Sequence, residues 1–225
     1  MTTYDLRPAA GRAVTRAEWR ETWHSFAFGD HYDPANTSFG ALLASNDDTL
    51  APGTGYLAHR HAETEIVSWV LEGELTHEDS AGRSTVVRPG FVQWLSAGSG
   101  AEHSERNEGP VPVRFVQMWL RPVEAGGEPG YVLRDVSGAL SSGALVPVLE
   151  VGAAVLHVGR LLGGLSGELA AAPYVHLYVA RGAVTVDAAG ELGEGDALRV
   201  TGCEGGHVVA GEQGAELLVW AMSDR

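Results

Sequence analysis

The chain contains no lysine; all 15 of its basic residues are arginines. Schiff-base chemistry on a lysine amine, an internal pyridoxal phosphate linkage included, is therefore excluded. Cysteine is almost absent. The single one, Cys203, can form no intrachain disulfide and cannot hold an iron–sulfur cluster. It reads as a small buried hydrophobe. Positive charge is scarce as well: 29 acidic residues leave a formal net charge of −14. Such a chain repels a phosphate backbone, so direct nucleic-acid binding is not expected. No apolar run approaches the ~20 residues of a transmembrane helix. The opening MTTYDLRPAAGRAVTRAEWRE lacks the apolar core of a signal peptide. The expected location is the cytoplasm, without a membrane.

What is present is an ordinary globular composition, 44% hydrophobic with 30 glycines, over 225 residues. That length suits one large or two small domains. Short β-branched and aromatic runs are punctuated by Gly and Pro throughout. Tyr56–His61, Ile66–Leu71, Glu74–Glu78, Ser84–Arg88, Val92–Ser96 and Val113–Leu120 all read as strands. Glu72-Gly73 reads as the turn of a hairpin. Before them, Phe39–Ser45 reads as a short strand, and NDDTLAPGTG after it as a turn-rich loop. Trp19, Trp23, Phe26 and Phe28 are expected to anchor the first segment on a core. This pattern predicts an all-β barrel or sandwich.

Arg121–Gly130, RPVEAGGEPG, reads as a linker, and beyond it the same grammar returns. YVHLYVARGAVTVD mirrors EIVSWVLEGELTHED, with Gly182 in the place of Gly73. AELLVWAM echoes VRFVQMWL as the closing strand. The expected organisation is two related β-domains: 1–120, a linker over 121–130, and 131–225.

The chemistry concentrates between His59 and Glu105. His59-Arg60-His61 and His103-Ser104-Glu105 each offer two metal-capable side chains at i and i+2, which on a strand share one face. On neighbouring strands these pairs would gather three imidazoles and a carboxylate around one point, a donor set suited to a divalent transition metal. The repeat supplies a control. Aligning Gly182 on Gly73 places Glu168 and Ala170 where His59 and His61 stand. Aligning Gly195 on Gly90 places Val208 and Ala210 where His103 and Glu105 stand. The second copy thus builds a similar fold without the four, which assigns chemistry to the first half and scaffolding to the second. Other candidates carry less weight. Glu65, four residues after His61, is a conceivable ligand or orienting group. His24, His31 and His77 are expected to support or lie outside the site. Gln93, Trp94 and Met118 are read first as core packing, with a place in the barrel lining as the alternative, and His157, His176 and His207 as structural.

HSFAFGDHYDP, FGALLASNDD, the His-x-His segment, VLEGELTHEDSAG, RPGFVQWLSAGSGAEHSE and VQMWLRP followed by GGEP together resemble the pirin family of the cupin superfamily, in its bacterial quercetinase-like branch. Thr64 and Trp69 depart from the family pattern, away from the four ligand positions. The resemblance implies two tandem jelly-roll barrels, a bicupin, with a metal in the N-terminal one. Its ligands would be His59, His61, His103 and Glu105, and the C-terminal barrel would lack them. The metal would be Fe(II) first, with Mn, Co, Ni, Cu or Zn as alternatives. It also implies either of two roles. One is a quercetin 2,3-dioxygenase type of reaction on a flavonol-like aromatic and O2, with Glu105 as proton acceptor. The other is an iron-dependent, redox-responsive regulator acting through a protein partner, without turnover. The oligomeric state stays open at this point: sheet faces and edge strands could pair, and a monomer is compatible with a chain that already supplies both barrels.

Overall fold

The computed structural model describes residues 1–122 and 124–223. Val123, within the expected linker, and Asp224 and Arg225, at the end of the expected second domain, lie outside the described residues. The architecture is all-β, and the chain divides into two compact units. No helix among the described residues is long and apolar enough to cross a membrane.

The first unit to consider comprises Ala13–Ser38 and Leu42–Val136. It is built from a four-stranded and a seven-stranded antiparallel sheet. In the four-stranded sheet the order is Thr54–His61, Ala101–Asn107, Leu75–Asp79, Ser84–Val87. In the larger sheet Glu65–Glu72 lies between Phe91–Ser96 and Val113–Leu120, and Leu42–Leu50 follows. The expected hairpin around Gly73 does not form. Glu65–Glu72 and Leu75–Asp79 belong to different sheets, and Gly73 is the corner where the chain passes from one to the other. Val70 before the corner and Leu75 after it then face the same apolar cluster. That shared burial explains why the chain turns a corner instead of folding back on itself.

NDDTL also departs from expectation. It continues the Leu42–Leu50 strand rather than forming a loop. Its backbone is hydrogen-bonded to Val113–Leu120 on one side and to Arg20–His24 on the other. Pairing on both edges overrides the turn propensity of Asn and Asp.

Side chains alternate along these strands, and the inward positions follow a rule. Ile66, Ser68 and Val70 run apolar, polar, apolar. So do Phe91, Gln93 and Leu95, while Val113, Phe115, Gln117 and Trp119 place one polar residue among three apolar ones. The apolar members separate into two clusters. One contains Leu50, Val70, Leu75, Val87, Val113 and Phe115; the other contains Ile66, Leu95, Ala97 and Ala101. A polar belt lies between them.

The second unit comprises Met1–Arg12, Phe39–Ala41 and the chain from Ser137 onward. Its eight-stranded sheet includes two long strands, Ala172–Val186 and Gly206–Met222, which pair along most of their length with register shifts near Gly182. Here the inward residues are apolar at every step. Val175, Leu177, Val179, Val184, Leu198, Val200, Val208, Ala210, Leu217 and Val219 form one continuous cluster with no belt.

The units do not follow the boundaries 1–120 and 131–225. Thr3–Arg7 pairs with Ala197–Cys203 and so joins the second unit. Gly130–Asp135 pairs with Phe91–Ser96 and so joins the first. Strand pairing, which composition does not reveal, places both segments. The linker segment therefore ends in a strand of the first unit's sheet.

Gly73 and Gly182 both adopt left-handed backbone, at φ 72° and 74°. A Cβ on Gly73 would meet the Pro112 carbonyl oxygen at 2.7 Å and the Val113 Cα at 2.9 Å. Gly73→Ala should therefore destabilise the fold by about 1–3 kcal/mol, the usual cost of a strained non-glycine residue. Gly82 has a similar φ of 83° but open space around it, so Gly82→Ala should cost less. Urea midpoints of the two variants check this order.

Candidate functional site

Thr54–His61 and Ala101–Asn107 are antiparallel neighbours, with His103 opposite His59 and Ala101 opposite His61. Between His103 and Glu105 the register slips, so that Glu105 opposes Tyr56. Such a bulge re-aims side chains. It lets Tyr56 as well as His59 and His61 reach the same cavity. The imidazole centroids of His59, His61 and His103 stand 4.7–5.1 Å apart. One ring nitrogen from each lies within 4.8 Å of the others. Three of the four expected side chains, the imidazoles, therefore meet.

The protonation chemistry suits a metal. His61 titrates near pH 4 and His103 near pH 3, both lowered by burial first and then by the neighbouring imidazoles. Each ring is neutral at physiological pH, the form that coordinates a cation. The Nε2 atoms of His61 and His103 are buried without a hydrogen-bond partner, which is costly unless something else fills the position. His59 lies 2.7 Å from the Leu57 carbonyl oxygen through its Nδ1. Its Nδ1 therefore carries the proton and donates it, leaving Nε2 bare.

Glu105 is buried, and both its carboxylate oxygens are held. Gln117 Nε2 donates to Oε2 at 2.6 Å and Ser68 Oγ to Oε1 at 3.3 Å. Gln117 is itself fixed by Trp119, whose Nε1 donates to Oε1 of the amide at 2.9 Å. Glu105 is not in the group of His59, His61 and His103; it falls in a second group, with His77 and His103, so His103 is common to both.

A cavity of about 290 Å³ opens beside these residues. His59, His61, Glu105 and Gln117 occupy part of its lining, and Phe28 and Trp119 supply an aromatic corner with centroids 5.1 Å apart. The remaining wall is polar. Asp48 accepts from Thr22 Oγ1 at 2.5 Å and from the Tyr56 hydroxyl at 2.8 Å. Arg20 Nη1 donates to the same hydroxyl at 3.0 Å. Burial pushes the Asp48 carboxyl up to about 6 against the hydrogen bonds from Thr22 and Tyr56. Burial and the Asp48 charge push the Tyr56 phenol above its ordinary value.

The secondary candidates disperse. Glu65 is bound by Trp94 Nε1 at 2.9 Å and by Ser96 Oγ at 3.2 Å, and joins neither group of metal-capable side chains. His24 lines the cavity, with Asn46 Oδ1 at 2.9 Å and Thr15 Oγ1 at 2.8 Å from its two ring nitrogens. Gln93 is fully buried beside His77, and Met118 is buried. Asp48, Tyr56, Ser68 and Gln117 were not anticipated. Asp48 was hidden in a segment that reads as a turn. Ser68 and Gln117 carry a signal that was available, a polar residue at the middle inward position of an otherwise apolar strand. In the second unit, Gly167, Leu169, Val208 and Ala210 are buried, while Glu168 and His207 face outward opposite each other. The alignment on Gly182 thus slips by one residue at Glu168.

Two sheets enclosing a side-chain-lined interior in one unit and a second barrel-like β unit beside it in the chain define a bicupin of jelly-roll barrels. The comparisons agree. The family model for pirin matches residues 7–120. A Mycobacterium bovis protein bearing a provisional quercetin 2,3-dioxygenase name is 43% identical over 233 residues, covering 98% of this chain and 95% of its own. The quercetin 2,3-dioxygenase of Escherichia coli K12 is 39% identical over 130 residues, 57% of this chain and 56% of that one. The crystal structure of YhhW from Escherichia coli superposes with a TM-score of 0.91 at 29% identity, covering 99% of both chains. The same bacterial pirin in complex with nickel(II) gives 0.87 at 29% identity over 99% of this chain and 100% of that one. The chain belongs to the pirin family.

Asp48 yields a linkage prediction. Its folded pKa is raised, so between pH 3.8 and about 6 the native state holds a proton that the unfolded chain has lost. The contribution of Asp48 to stability is full below that window, falls as pH rises through it, and is flat above. Asp48→Asn removes the titration. Its stability relative to the parent should climb across the window, as read by urea unfolding at the two ends.

Proposed function

We propose that His59, His61, His103 and Glu105 hold a divalent transition metal, and that the adjoining cavity oxidises a flavonol-like aromatic with O2. The observation that carries the proposal is the meeting of three imidazoles, two with buried and unpartnered Nε2 atoms, beside a cavity that His59 and His61 line and that has an aromatic corner. The nickel(II) complex of the Escherichia coli pirin and the dioxygenase names among the relatives support it. Iron(II) is the first choice for such nitrogen and oxygen donors, and manganese, cobalt, nickel, copper and zinc fit the same set.

When bound, the metal would supply Lewis acidity to an enol or phenol oxygen and a route for electrons from the substrate to O2. The protein's part is positioning and proton handling. Phe28 and Trp119 offer ring faces to an aromatic substrate. Glu105 is the proton acceptor: a carboxylate at the cavity wall, within reach of a substrate hydroxyl oriented there. Gln117 and Ser68 fix the carboxylate plane and stabilise its charge by donating to both oxygens. The neutral rings of His61 and His103 remain ready as donors without competing for that proton. The polar part of the cavity wall accommodates further hydroxyl groups on the substrate.

The test is aerobic quercetin turnover by the Fe(II)-loaded full chain, followed by loss of flavonol absorbance and release of carbon monoxide. His61→Ala should lose the metal. Glu105→Gln should lower kcat by about 10²–10⁴-fold, the usual value of a general base. Absence of turnover above free iron, in protein shown to hold metal, would overturn the dioxygenase reading in favour of an iron-dependent regulator that binds a protein partner.

A further inference from the structure

His77 lies on Leu75–Asp79, directly opposite Glu105, and Asp79 lies opposite His103. The His77 ring is fully buried. Tyr131 stacks on it with centroids 4.8 Å apart. Its Nδ1 is 3.4 Å from Nδ1 of His103 and 3.3 Å from Nε2 of Gln93. Its Nε2 is 3.5 Å from Oδ2 of Asp79. Asp79 is in turn held by Arg83 Nη1 at 2.8 Å and by the backbone N–H groups of Ala81 at 2.9 Å and Arg83 at 3.2 Å.

Proton counting constrains this chain of contacts. Two Nδ1 atoms that face each other share one proton, not two. If His103 offers its bare Nε2 to a metal, its own proton must sit on Nδ1 and point at His77. His77 Nδ1 is then an acceptor, which agrees with the Gln93 amide nitrogen as its other neighbour. The His77 proton is consequently on Nε2, on the side of the anionic Asp79, 3.5 Å away and outside hydrogen-bond geometry. One tautomer at each ring is consistent with the facing Nδ1 atoms and with the charge of Asp79. His59 reaches the same state differently, through the Leu57 carbonyl. His103 is given no such carbonyl and depends on side chains.

We propose that His77, braced by Asp79, is a positioning residue that locks His103 in the tautomer with a bare Nε2 and strengthens it as a metal donor. The inference rests on the reading of His59, His61, His103 and Glu105 as ligands. The competing role is ligation by His77 itself, because it also groups with His103 and Glu105 within 4.8 Å.

The test uses the full chain with cobalt(II) as probe. The variants are His77→Gln, which keeps an acceptor, His77→Leu, which keeps bulk alone, Asp79→Asn, and His61→Ala as the ligand control. Removing a group that orients a metal-bound histidine typically weakens the metal by about 10–100-fold. His77→Leu should show that loss and His77→Gln should recover most of it. Asp79→Asn should fall between them, and it carries the test if His77→Leu does not fold. Nitrogen-15 spectra of the metal-free protein should show His103 protonated at Nδ1 in the parent and in His77→Gln, and a tautomer mixture in His77→Leu. Parental cobalt affinity and spectrum in His77→Leu would overturn the proposal. So would losses in His77→Gln and His77→Leu that both equal the loss in His61→Ala, since His77 would then be a ligand. If His61→Ala binds cobalt as the parent does, the ligand reading itself fails, and the metal-free spectra still decide whether His77 sets the His103 tautomer.

Discussion

A belt of polar side chains buried between two apolar clusters is the constraint on which the first unit depends. Ser68, His77, Gln93, His103, Glu105 and Gln117 are all at most 8% exposed. Each buried polar group left without a partner costs about 1–3 kcal/mol. The belt is therefore tolerable only as a network. Trp119 holds Gln117, Gln117 and Ser68 hold Glu105, and Gln93 contacts His77, which contacts His103. The apolar clusters on either side supply the stabilisation that the belt does not. They also exclude water from it, so the charges and dipoles within act at low effective dielectric.

The second unit shows what the same fold looks like without that constraint. Its inward positions are apolar throughout and merge into one cluster. The units differ in strand layout, and they differ also in side-chain identity at the middle inward position of the strands. Scaffold and chemistry are thus separable in this family architecture, and the N-terminal belt is a feature that packing alone does not call for.

Backbone detail decides how the belt is used. The register slip between His103 and Glu105 turns Tyr56 toward the cavity that His59 and His61 also line. Tyr56 then meets Asp48 and Arg20, and the cavity acquires polar lining in addition to its aromatic corner. Two carboxyl groups result, in different electrostatic settings. Glu105 is surrounded by donors beside the imidazoles, and Asp48 is desolvated with its pKa raised to about 6. A desolvated carboxyl such as Asp48 is common where protons are moved.

The sequence by itself determined the all-β class, the glycines at which the chain turns, and the spaced pairs His59/His61 and His103/Glu105. These rest on local rules: period-two alternation, glycine at left-handed turns, and i, i+2 spacing on one strand face. Only the tertiary structure decided which strands are neighbours. Strand pairing moved Thr3–Arg7 into the second unit and Gly130–Asp135 into the first. It drew Asp48 out of an apparent loop into the middle of a sheet. It set His77 against His103 from a strand that is distant in the chain. The physical reason is that hydrogen-bonded partners across a sheet are chosen by burial and register over long sequence separations, and local residue preferences do not encode that choice.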